Sequence, residues 1–135
     1  MPGSRDTLAR WHEAVYNKDY ALLNDLLADD VSLSSPVFWR AKTGKVAVHA
    51  ILSTVINVFE DFKYHREWVD GKSWALEFSA AVKAKSLKGI DLIELNDENK
   101  IQSLEVLIRP LNALQVFGTE MDERLKALVA EGSDG

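Results

Sequence analysis

Cysteine is absent from the 135-residue chain, which removes disulfides, thiolate nucleophiles and cysteine-based zinc sites from consideration. A chain without cysteine fits a reducing compartment, so the expected location is cytoplasmic. Glycine and proline are scarce, at 7 and 3, which excludes collagen-like and turn-rich disordered compositions. No apolar run approaches the ~20 residues of a membrane-spanning helix. The opening MPGSRDTLARW lacks the apolar core of a secretory signal. No membrane partner is expected. Basic residues form no stripe and the net charge is −5, so nucleic acid is not an expected partner either. The three histidines, His12, His49 and His65, show no ligand spacing. Neither a metal site nor a cofactor is expected. Surface or helix-edge roles suit all three, with His49 placed to reach a cavity mouth.

What is present is a globular composition, 47% hydrophobic and 27% charged, in one domain spanning residues 1–135. Residues 1–4 and 132–135 read as loose ends. Leu8, Trp11, Ala14 and Val15 share one face of a helix that starts near Ser4 or Asp6 and ends at Asn17-Lys18. Asp19 caps a second helix, with a stripe from Tyr20 to Leu27 and an end at Asp29-Asp30. Val31, Leu33 and Ser35 alternate as a short strand that Pro36 stops. Thr43-Gly44 opens a third helix with Val48, Ile51, Leu52, Val55 and Phe59 on one face, widened by Val46, Ile56 and Val58.

From Phe62 the period changes to two. Phe62, Tyr64, Arg66 and Trp68 share one face of a strand, and Asp70-Gly71 is a turn signal. Trp74, Leu76, Phe78, Ala80 and Val82 make one face of the next strand. A polar stretch from Lys83 to Lys88 leads into a strand from Gly89 to Leu95, and a final strand runs from Ile101 to Arg109. Pro110 fits the first position of a terminal helix lined by Leu111, Leu114, Phe117, Met121, Leu125 and Leu128. This order predicts an α+β fold: a curved antiparallel meander with helices across its concave face, open at one end like a cone.

The same order resembles the NTF2-like superfamily, and short motifs support the resemblance over most of the chain. Leu27-Ala28-Asp29-Asp30-Val31 with Ser35-Pro36 is similar to the family's entry into its first strand. Gly44-Lys45 is similar to its helix-opening glycine. Gly89-Ile90-Asp91-Leu92-Ile93 with Asn96-Asp97-Glu98-Asn99-Lys100-Ile101 resembles a family hairpin, and Ile108-Arg109-Pro110-Leu111 resembles the ending of SnoaL-like members. The family includes ketosteroid isomerase, epoxide hydrolases, polyketide cyclases and non-catalytic binders, so fold alone does not assign function.

Compared with ketosteroid isomerase, Ser35 stands where the resemblance expects the general base, and Trp11 where it expects the oxyanion-hole tyrosine. Leu27 and Leu52 replace supporting tyrosines, and only the second oxyanion-hole acid is matched, by Asp91. The arginine of the epoxide hydrolases is replaced by Gly89. Asp91 is therefore the candidate catalytic residue. Either its carboxyl has a raised pKa and acts as an acid or hydrogen-bond donor, or it tethers the first helix through a backbone group or the Trp11 N–H.

The expected pocket combines Trp11, Ser35 and Leu52 with Trp74, Leu76, Phe78 and Ile93, and the resemblance adds Leu104, Val106 and Ile108. Phe38 and Trp39, after Pro36, are expected at the mouth, with the tryptophan as a lid. The outer sheet face mixes Ala81 and Leu107 with Glu77, Ser79, Ser103, Glu105 and Arg109. The resemblance implies a homodimer through that convex face. Three functions fit these residues: a binder of a small, mostly apolar organic molecule; a cofactor-free isomerase, cyclase or lyase using Asp91; and a dimeric interaction module whose cavity is filled by its own side chains.

Overall fold

The computed structural model describes residues 3–133. Residues 1, 2, 134 and 135, part of the expected loose ends, lie outside the described residues. Of the rest, Gly3 caps the first helix and Ser133 still belongs to the last.

Helix α1 (Ser4–Tyr16) buries Thr7, Trp11, Ala14 and Val15, and α2 (Tyr20–Leu26) buries Leu23 and Leu26. Asp19 caps α2 by accepting a 3.1 Å hydrogen bond from the Leu22 N–H. Helix α2 ends earlier than its apolar stripe suggests, because Leu27 already begins strand β1 (Leu27–Ser34) and pairs with Ile101. Pairing across the fold overrides local helical spacing there. A two-residue strand, β2 (Lys42–Thr43), hydrogen-bonds to β1, and Gly44 at φ +98° leads into α3 (Lys45–Val58). Val46, expected to widen the buried face of α3, is 87% exposed.

Strands β3 (Glu60–Asp70), β4 (Ser73–Val82), β5 (Lys85–Leu95) and β6 (Ile101–Arg109) follow as an antiparallel meander. Strand β1 joins parallel to β6, giving the order β2-β1-β6-β5-β4-β3. The polar stretch from Lys83 to Lys88 holds a two-residue hairpin turn and the first residues of β5, so that strand starts four residues before Gly89. Lys83 and Ala84 take positive φ, and β5 begins at Lys85. Helix α4 (Leu111–Ser133) starts one residue after Pro110, whose carbonyl accepts from the Leu114 N–H. It buries Ala113, Phe117 and Met121, whereas Leu111 is exposed. The result is an α+β fold: a curved, open sheet with helices packed against it.

Strand β3 departs from the expected alternation. Its register to β4 shifts twice, between Glu60 and Lys63 and again between Tyr64 and Glu67. The second bulge sets His65 and Arg66 in the space opposite Glu77, so every later side chain changes face. Tyr64 is buried opposite Phe78, but Arg66 and Trp68 lie on the outer face and Glu67 turns inward opposite Leu76. Outside, Arg66 forms a bidentate pair with the buried Glu77 at 3.0 and 2.6 Å. That pairing lowers the Glu77 carboxyl to about 2, against the opposing effect of burial.

Candidate functional site

Between the concave face of the sheet and helices α1, α3 and α4 lies a cavity of about 370 Å³. Its size is within the range of small-molecule sites. Leu33 and Ser35 come from β1, Ile51, Leu52 and Val55 from α3, Phe78 from β4, Leu104 and Val106 from β6, and Phe117 from α4. The cavity is open, not filled by side chains. Tyr16, Lys18, Asn57, Glu60 and Asp61 are exposed members of its lining, which puts the mouth beside the ends of α1 and α3 and the start of β3.

Asp91 is 7% exposed and lines this cavity from the middle of β5. Tyr64, two strands away on β3, donates a 2.7 Å hydrogen bond to Oδ2 of Asp91, and the Trp11 indole N–H donates to the Tyr64 hydroxyl at 2.9 Å. The tyrosine hydroxyl therefore stands between the two groups that the sequence suggested would meet directly. Tyr64 is itself held in place through its backbone, whose N–H donates to the Tyr16 hydroxyl at 2.8 Å.

Burial pushes the Asp91 carboxyl up to about 7, and the Tyr64 hydrogen bond acts in the opposite direction. Burial, then the charge and hydrogen bond of Asp91, hold the Tyr64 phenol well above its ordinary value. A carboxyl with such a midpoint exchanges its proton near neutral pH. When protonated it can donate a hydrogen bond into the cavity, and when ionised it can accept one.

Of the residues proposed for the pocket, Trp11, Ser35, Leu52, Phe78, Asp91, Leu104 and Val106 line the cavity. Trp74, Leu76 and Ile93 point to the same side of the sheet but are buried in the core outside the lining. Their cross-strand neighbours Asp91 and Leu104 do line the cavity, so the hollow passes over β5 and β6 at this level and leaves these three side chains packed in the core. Ile108 is half-buried and also outside the lining. Phe38 packs against the core with the Lys42 ammonium 4.9 Å from its ring centroid. Trp39 is 97% exposed and away from the cavity, so the expected lid is not at the mouth.

The sequence reading missed Tyr64 as an Asp91 partner and Phe59, Phe62 and Phe117 as wall residues. Phe59, Phe62 and Phe78 have ring centroids 5.2–5.8 Å apart, and Phe117 stacks on Phe59 at 5.1 Å. The density of aromatics from Phe59 to Tyr64 was the available signal. The Ser35 hydroxyl oxygen accepts from the Val37 N–H at 3.3 Å and has no hydrogen-bonded base among the described residues.

His12 lies 2.6 Å from Glu67, His49 bonds the Tyr20 carbonyl between α2 and α3, and His65 meets the Ser79 hydroxyl. None lines the cavity. Among the described residues no group of three His, Asp or Glu side chains is placed to hold a metal ion. No described helix is long and apolar enough to cross a membrane.

The chain is similar over most of its length to solved structures. A steroid delta-isomerase from Pseudomonas aeruginosa shares 43% identity over 94% of both chains, with a TM-score of 0.90. An uncharacterized protein with a cystatin-like fold from Silicibacter pomeroyi DSS-3 shares 38% identity over 89% of this chain and 85% of its own, at 0.86. An NTF2-like protein of unknown function from Cytophaga hutchinsonii, at 18% identity and 0.65, has the same fold over 82% of this chain and 93% of its own.

The chain belongs to the NTF2-like superfamily.

No family model and no curated protein matches it. The apolar, concave pocket is typical of NTF2-like proteins and suits small apolar ligands. In this NTF2-like chain its deep end carries one carboxyl group.

Proposed function

We propose that the protein binds a small, mostly apolar organic molecule in the cavity, with Asp91 as its polar anchor. The observation that carries this reading is the mismatch between wall and floor: a 370 Å³ hollow with an aliphatic and aromatic wall and one buried carboxyl. Tyr64 occupies Oδ2, and no protein hydrogen bond to Oδ1 is found among the described residues. A ligand hydroxyl or carbonyl reaching Oδ1 would satisfy that oxygen, while its apolar body replaces water along the wall. The cysteine-free sequence, and the lack of a spanning helix among the described residues, fit a cytoplasmic setting without a membrane or nucleic-acid partner. The convex face, where Trp68 and Leu107 are each 50% exposed, is proposed to pair two copies.

The test is fluorescence titration with 2-naphthol, joined to native mass spectrometry of freshly purified protein for a retained small molecule. Val106→Trp, which fills the hollow, is expected to abolish naphthol binding without unfolding the chain. Equal binding by the filled variant would refute the reading.

A second reading is a cofactor-free isomerase, cyclase or lyase in which Asp91 moves the proton. It is supported by the name of the Pseudomonas relative and by the Asp91 midpoint near 7. Ser35, where the isomerase resemblance expects a carboxylate base, weighs against steroid isomerisation in particular. Asp91→Asn separates the two readings. Retained ligand affinity with lost turnover supports the enzyme, and retained turnover excludes Asp91 as its acid or base.

A further inference from the structure

Gly89 on β5 and Phe78 on β4 are direct cross-strand partners on the concave face. Gly89 sits in regular ladder between Phe78 and Ile108, so no turn or left-handed backbone requires a glycine there. Glycine inside a strand weakens it and marks a close approach. Two groups approach here, the Phe78 ring from β4 and the Leu107 backbone carbonyl from β6. A methyl group built on Gly89 would lie 2.4 Å from Phe78 Cζ and 2.6 Å from the Leu107 carbonyl oxygen. Phe78 is fully buried and forms part of the cavity wall.

We propose that Gly89 sets the depth of the ligand cavity by letting the Phe78 ring occupy the space that a side chain at position 89 would fill, which makes position 89 a determinant of ligand size. This inference rests on the ligand-binding reading above. Phe62 stacks on Phe78 at 5.2 Å and Phe59 flanks it at 5.6 Å, so both occupy other directions in which the ring could move. The open direction is the hollow itself. A side chain at position 89 therefore drives the ring into the space beside Asp91, the next inward-facing residue on β5 and about 7 Å along the strand. With glycine the cavity accommodates a fused or branched ring system, and with alanine it is cut back to a single ring.

The experiment compares Gly89→Ala with the unmodified protein, using phenol and 2-naphthol as neutral probes and a crystal structure of the variant. Gly89→Ala is expected to weaken 2-naphthol by about tenfold or more and phenol by less than about threefold, with the ring displaced into the hollow. Gly89→Ala combined with Phe78→Leu removes the ring contact and leaves the Leu107 carbonyl contact in place, so the expected recovery of 2-naphthol binding over the single variant assigns the loss to the ring, and no recovery assigns it to displacement of β6 and overturns the proposal. Where the single variant is too unstable to purify, the double variant carries the test, and its binding 2-naphthol no better than phenol-sized probes overturns the proposal. An unmoved Phe78 ring with both affinities unchanged also overturns it. Failure of the unmodified protein to bind either probe refutes the ligand-binding reading instead, and the crystallographic position of the ring still decides whether Gly89 controls cavity depth.

Discussion

Tyr64 and Asp91 stand two strands apart, yet the phenol hydroxyl lies 2.7 Å from Oδ2 of the carboxyl. Tyr64 pairs with Phe78 and Phe78 with Gly89, two residues before Asp91, so the phenol reaches diagonally across the concave face of the curved sheet. Because Trp11 donates to the same hydroxyl, helix α1 is tied to the sheet through the group that holds the candidate anchor.

The pH dependence of stability is expected to carry the signature of Asp91. Burial lifts its carboxyl from an ordinary value near 3.8 to about 7 in the folded chain. Between these values the native state binds more protons than the unfolded chain, so stability falls as pH rises through this window and levels off above about 7. The total contribution is on the order of 4 kcal/mol. Asparagine is neutral throughout and can still accept from Tyr64. Urea denaturation at pH 5 and pH 8 should show Asp91→Asn losing less stability than the unmodified protein across that interval. Parallel losses would show that Asp91 is ionised with an ordinary pKa.

Tyr64→Phe removes one donor and leaves the Trp11 N–H without its acceptor. The Tyr64 hydrogen bond lowers the Asp91 value, so its loss should raise that value further. Carbon-detected titration of the Asp91 carboxyl reads this directly. A stability loss of about 1–3 kcal/mol is expected from the unpaired indole. An Asp91 midpoint that falls in this variant contradicts the assigned geometry.

Trp39→Ala tests the lid that the sequence suggested. The side chain is 97% exposed and outside the cavity lining. Its removal should change stability by less than about 0.5 kcal/mol and leave 2-naphthol affinity unaltered. A marked loss of affinity would return this loop to the binding site.

Leu107→Glu tests the proposed pairing of two copies. In an isologous interface the new carboxylates would face the same surface on the partner and repel across it. Sedimentation velocity should show a dimer for the unmodified chain and a monomer for the variant. A monomer in both refutes the proposed pairing.

Much of the fold was legible in the sequence because its signals are local. Periodic apolar residues placed α1 and α3, Asp19 announced the α2 cap, and Asp70-Gly71 announced a hairpin. Alternation on β4 and β5 also identified Asp91, Phe78 and their neighbours as inward-facing. These features depend on residues a few positions apart, so a single strand or helix determines them. Tertiary structure alone decided where β1 begins, since the pairing of Leu27 with Ile101 competes with helical spacing. It also decided which side of β3 each residue takes after Tyr64, because one bulge reverses the alternation without any proline or glycine to mark it. The extent of the cavity, the partner of Asp91 and the exposure of Trp39 depend on how distant strands and helices close on one another. Such distances follow from curvature and packing, which no local pattern of residues records.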